Sequence, residues 1–111
     1  MSLQDIMSQF NEFLASKLNN AWLETSEGKV YIRKSHRLPP DHTALVRCLD
    51  IASIEMPNAG LKLIKELHKH NPLRFTFIEQ VLNQKLARYL DKTGWKRVEY
   101  SGIPSFYLER P

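Results

Sequence analysis

Residues 43–56 read TALVRCLDIASIEM, and the reading of that stretch decides the fold. Leu45, Val46, Cys48, Leu49, Ile51, Ala52 and Ile54 stand at both odd and even positions. A strand apolar on both faces belongs inside a sheet that is covered on both sides. Asp50 interrupts the apolar run, which predicts a bulge or a polar-lined opening there. Pro57 ends the strand, Asn58 is a good helix N-cap, and Leu61, Leu63, Ile64 and Leu67 make a helical stripe that stops at Asn71-Pro72. Residues 74–82, with Phe75, Phe77, Ile78 and Val81, read as a second buried strand. A strand, a helix and a strand in that order predict a right-handed crossover with the two strands parallel.

Working outward, residues 3–18 place Leu3, Ile6, Met7, Phe10, Phe13, Leu14 and Leu18 on one face of an amphipathic helix. Residues 21–25 and 29–33 flank the turn signal Ser26-Glu27-Gly28, and Leu38-Pro39-Pro40-Asp41 is a connection that prolines keep non-helical. Downstream, Asn83 caps a helix whose Leu86, Ala87 and Leu90 face inward, and Gly94 suits its left-handed end. Residues 95–100 and 105–108 form a hairpin around Gly102-Ile103-Pro104. The expected fold class is α/β (α+β): one domain over residues 1–111, with a mixed central sheet and helices on both faces.

The composition fits a packed globule: 111 residues, 42% hydrophobic and 10% aromatic, too apolar for intrinsic disorder. The single cysteine, Cys48, excludes an intramolecular disulfide framework and a cysteine zinc cluster, and its apolar strand predicts an inert thiol. No apolar run reaches the roughly 18–20 residues that span a bilayer. Asp5 and Glu12 near the N-terminus, with no basic segment before an apolar one, argue against a signal peptide. The expectation is a soluble protein of a reducing cytoplasm without a membrane partner. His68 and His70 are two apart, on different helix faces, so no metal pair is expected. A net charge of +4 permits a polyanion without demanding one. Arg33, Lys34, His36 and Arg37, with Tyr31 alongside, form the one basic edge suited to single-stranded nucleic acid.

Several segments together resemble a known family. They are the long strand ending Ile54-Glu55-Met56-Pro57 with Gly60 and a helix after it, the segment Ile78-Glu79-Gln80-Val81-Leu82-Asn83, Gly94-Trp95, and the final Phe106-Tyr107-Leu108. Residues 43–108 resemble the GNAT superfamily of acyl-CoA-dependent N-acyltransferases, most of all the short GNAT-like proteins of bacteriophages, shortened at the N-terminus. The resemblance implies that the two parallel strands splay apart and that acyl-CoA pantetheine inserts between them. It further implies that pyrophosphate rests on amides at the start of the next helix, where a helix N-terminus favours anions. The implied cofactor is acetyl-CoA, held by Ile54 and Met56 on the strand, by Asn58, Gly60, Leu61 and Lys62 at the helix start, and by Asn83. Lys65 and Lys69 share the helical face of Lys62.

Two departures stand out. Pro57-Asn58-Ala59-Gly60-Leu61 holds one glycine where the family's phosphate loop usually carries an Arg or Gln and a second small residue. Leu90 stands where the family frequently has its tyrosine acid, leaving Tyr89, one residue earlier, or Tyr107 to serve. For the base, Glu55 ranks first, Glu79 second and Asp50 third. The expected activity is acyl transfer from acyl-CoA to an amine acceptor. The alternatives are a catalytically degenerate GNAT-fold interaction module and, behind it, a protein binding single-stranded nucleic acid. A free sheet edge also makes a homodimer an expected partner.

Overall fold

The structure is a computed structural model, which describes residues 2–26, 28–39, 42–55, 60–81, 83–100 and 102–110. In chain order the elements are α1 (Ser2–Ala15), β1 (Asn20–Thr25), β2 (Gly28–Arg37), β3 (Val46–Glu55), α2 (Gly60–His70), β4 (Phe75–Ile78), α3 (Gln84–Lys92), β5 (Lys96–Tyr100) and β6 (Ile103–Glu109). The six strands form one mixed sheet in the order β1-β2-β3-β4-β6-β5. β3 and β4 are its parallel pair, with Cys48 opposite Phe75 and Ile51 opposite Ile78, as the crossover reading requires. The β1–β2 and β5–β6 hairpins lie on either side.

Several boundaries differ from the periodicity. β3 begins at Val46 rather than Thr43, because the β2–β3 connection takes the first residues of that run. β2 extends to Arg37, beyond the expected 33. β4 holds only Phe75–Ile78, where residues 74–82 were expected. Gln80 cuts it short with a φ of +47°, a left-handed conformation uncommon for a residue with a side chain. The irregularity expected at Asp50 lies two residues further on: Asp50 pairs in register with Arg33, while Tyr31 pairs with Ser53 and Ile32 with Ile51, which leaves Ala52 as the extra residue.

The helices correct the expected layering. Ile6, Phe10 and Phe13 of α1, Leu63, Ile64 and Leu67 of α2, and Ala87 and Leu90 of α3 all enter one core cluster with Val30, Ile32, Leu49, Ile51 and Phe106. A second cluster, Cys48, Phe75, Phe77 and Tyr107, is built from strand residues only. The helices therefore cover one face instead of two. Both crossovers, through α2 and through α3, move the chain the same way across the sheet, and right-handedness then sends both helices to the same side. The other face is sealed by its own side chains. Phe77 stacks on Tyr107 at 5.7 Å, and His42 from the β2–β3 connection meets Phe75 edge-on at 5.2 Å.

The β1 edge of the sheet is partly occupied by α1. The Gln9 carboxamide donates to the Glu24 carbonyl at 2.7 Å and accepts from the Glu24 N–H at 2.9 Å. Those are the two bonds a neighbouring antiparallel strand would make at one residue. Gln9 thus narrows the edge on which dimerisation was expected. Both bonds are exposed, so Gln9→Ala should lower stability by only about 1 kcal/mol. Urea unfolding measures that loss, and size-exclusion chromatography of the same variant reports any gain in self-association.

A buried polar chain ties α2 to β4. Asn71 donates to the Phe75 carbonyl at 3.0 Å and to Thr76 Oγ1 at 2.9 Å, and its own oxygen accepts from the Leu73 N–H at 2.8 Å. Thr76 Oγ1 also lies 2.8 Å from His68 Nδ1, a hydrogen bond whose direction follows the imidazole tautomer. Burial pushes the His68 pKa below its ordinary 6.5. The unfolded chain then takes up that proton more readily than the folded one. Stability from His68 is complete above pH 6.5 and is lost as the pH falls through the lowered folded value. Urea midpoints should decline over that range, and His68→Gln should make the decline shallower.

Candidate functional site

β3 and β4 run together only as far as Ile51 and Ile78. The Glu79 N–H donates to the Ile51 carbonyl at 3.0 Å, the last bond between the two strands. The left-handed turn at Gln80 then carries the chain toward β6. The Gln80 N–H donates to Ser105 Oγ at 3.0 Å and the Val81 N–H to the Pro104 carbonyl at 2.7 Å. Residues 53–55 of β3 pair with β2 on one side and, among the described residues, with no strand on the other. The pairing of β3 with β4 thus opens beyond Ile51 and Ile78, part-way along β3.

The residues expected around this opening are placed as follows. Ile54 is half-buried and packs toward the helix-covered core. Glu55 lies on the opposite face, exposed, with Lys29 Nζ 3.8 Å from its carboxylate. Met56 and Asn58 lie outside the described residues. Gly60 opens α2, and Leu61 and Lys62 follow it with exposed side chains. The fold itself does not require glycine at position 60. Among the described residues, an added Cβ there would meet only Ile54 Cγ2, at an ordinary 3.9 Å.

Asn83 is the α3 cap that its sequence context predicted, and its side chain accepts from the Leu86 N–H at 3.1 Å. That carboxamide oxygen is therefore committed to the helix end. Tyr89 is half-buried on the helix-covered side, with Lys65 Nζ 5.4 Å from its ring centroid, while Leu90 is wholly buried. The two residues expected to handle protons, Glu55 and Tyr89, thus sit on opposite sides of the sheet. Cys48 matches its expectation: burial, with the nearby Asp50 carboxylate adding to it, raises its pKa to about 11, so it is protonated and unreactive at neutral pH.

The most developed side-chain constellation lies on the helix-free face beside the opening, and the sequence reading underestimated it. Asp50 is 1% exposed. Its Oδ1 accepts from Ser35 Oγ at 2.9 Å and from Arg37 Nε at 2.9 Å, and its Oδ2 accepts from Arg37 Nη2 at 3.1 Å. The Arg37 guanidinium carbon lies over the Phe77 ring, 4.0 Å from its centroid. Arg33 Nη2 reaches Asp50 Oδ2 at 3.4 Å and also Glu79 Oε1, an oxygen it shares with Arg37 Nη2. Two guanidinium groups thus meet two carboxylates. Alternation along β2 was the available signal, since Arg33, Ser35 and Arg37 share one side and register with Asp50, Cys48 and Val46.

This cluster dismantles the basic edge suggested for nucleic acid. Arg33 and Arg37 are neutralised by Asp50 and Glu79, and Lys34 points to the other face, where it donates to the Ser16 carbonyl at 2.9 Å. Among the described residues no group of three or more metal-ligating side chains gathers, and no helix is long and apolar enough to cross a membrane. A shallow groove of about 400 Å³ lies between α3 and the β5–β6 turn, lined by Val81, Ala87, Arg88 and Ile103 among others, away from the Arg–carboxylate cluster. No known family model matches the chain, and no curated protein matches it.

Proposed function

We propose that the protein binds an acyl-CoA thioester in the opening between β3 and β4 and transfers the acyl group to an amine, as the resemblance to GNAT acyltransferases implies. The observation that carries this reading is the separation of two parallel strands after Ile51 and Ile78, with a helix starting close beyond the longer strand. The β3 amides beyond Ile51 supply donors for the pantetheine and for the oxyanion of the tetrahedral intermediate. The start of α2, with Gly60, Leu61 and Lys62, offers its amides and partial positive charge to the phosphates. Glu55 accepts the proton of the amine on the helix-free face. Tyr89, on the other side, stands nearest in sequence to the expected acid and supplies a proton to the departing thiolate. Cys48 takes no part, so transfer is direct.

Acetyl-CoA should raise the melting temperature by mass action, the stabilisation reaching about 2.7 kcal/mol at a hundredfold excess over Kd. Gly60→Ala adds a Cβ that meets no described atom closer than 3.9 Å, so it should stay folded while hindering close approach of a phosphate and reducing the shift. The absence of a shift at millimolar acetyl-CoA would overturn the reading. A shift without thiol release from acetyl-CoA, over a panel of amines and peptides, would leave a binding module on this fold.

A further inference from the structure

Within the Arg–carboxylate cluster the inner and outer pairs are used differently. The inner pair is closed: both Asp50 oxygens are taken, Arg37 binds side-on with two nitrogens, and the carboxylate is buried. The outer pair is half used. Arg33 engages only through Nη2, and its Nε and Nη1 donate to no described residue. Glu79 engages only through Oε1, which both arginines share, and its Oε2 accepts from no described residue. Their side chains are 37% and 23% exposed, so solutes can reach them. Direct contact between the two groups places an unused cationic edge beside an unused anionic oxygen.

We propose that Arg33 and Glu79 form a recognition site for a small zwitterion of the α-amino acid class, with its carboxylate on the Arg33 guanidinium and its ammonium on Glu79 Oε2. An α-amino acid carries its two charges one carbon apart, matching a cation and an anion that already touch. A simple amine satisfies only Glu79 and must compete with the arginines for it. A simple carboxylate satisfies only Arg33 and meets the Glu79 charge. The inner Asp50–Arg37 pair holds the outer pair in place from below, and Phe77 backs Arg37. Glu79 also makes the last backbone bond before the opening, so a bound ammonium lies at its mouth, on the face where Glu55 stands. As an acyl acceptor, the amino acid rests on the transfer reading above; as a ligand, it does not.

The test is an NMR titration of the arginine Nε–H signals of the full chain with glycine, methylamine and acetate, followed by acetyl-CoA on the same sample. Glycine should shift the Arg33 signal saturably and leave Arg37 nearly still, while methylamine and acetate at equal concentration do neither. Arg33→Gln and Glu79→Gln should each weaken glycine binding about tenfold or more, since each removes a charge-assisted bond. Circular dichroism checks that both variants fold, and Arg33→Lys should retain part of the affinity. Acetate matching glycine, or Glu79→Gln binding glycine as the wild type does, would overturn the proposal. A response to acetyl-CoA with none to glycine would also overturn it while sparing the transfer reading. The reverse pattern would overturn the transfer reading and keep the zwitterion site.

Discussion

Asp50→Ala is expected to lower unfolding stability by on the order of 3 kcal/mol, the largest effect of any single change on the helix-free face. The reason is what remains behind. Arg37 stays over Phe77, and the two nitrogens that had faced Asp50 lose the buried carboxylate that accepted from them. Ser35 loses its acceptor as well. Glu79 still neutralises part of the charge, which keeps the loss near the lower end for a broken buried pair. Urea unfolding with an unchanged m-value is the measurement. Asp50→Leu combined with Arg37→Met should recover much of the loss, because it removes both charges and keeps the volume. A double variant as unstable as Asp50→Ala would show that lost packing, not an abandoned charge, is the cause. Glu79→Gln should cost clearly less than Asp50→Ala, since Glu79 is partly solvated.

The second large effect is kinetic. If acyl transfer takes place in the opening, Glu55→Gln should lower kcat/KM for thiol release by about 10²–10⁴-fold, the usual contribution of a proton-transfer group. Glu55 is exposed and its ion pair with Lys29 spans 3.8 Å, so the substitution should leave folding and acetyl-CoA binding almost unchanged. That separates a chemical loss from a structural one. Equal rates for wild type and Glu55→Gln would remove Glu55 from the mechanism and pass the role to Glu79. Glu79 lies level with the start of the opening, whereas Glu55 stands about 10 Å further along β3 at the rise of a strand.

Which parts of this architecture were legible follows from the range of the forces involved. The β3–α2–β4 unit was readable because an all-apolar strand, a helical stripe and another apolar strand each carry a local period. Asn83 and Gly94 were readable for the same reason: a cap and a left-handed helix end are properties of a few consecutive residues. A bulge or polar-lined opening was expected at Asp50, but Asp50 stays in register and the bulge falls at Ala52. The length of β4 was not readable. Val81 and its neighbours are apolar enough for a strand, but the Gln80 turn is held by Ser105 and Pro104, twenty or more residues away.

The sequence by itself determined the order of elements, the parallel central pair and the buried state of Cys48. Each is set by local spacing or by the hydrophobicity of contiguous residues. Only the tertiary structure decided that all three helices share a face, that Gln9 fills the sheet edge at Glu24, and that Asp50 binds arginine instead of standing as a free base. It also decided that Glu55 and Tyr89 face opposite sides of the opening. These outcomes depend on crossover handedness and on strand register, which bring together residues far apart in the chain and so leave no local signal.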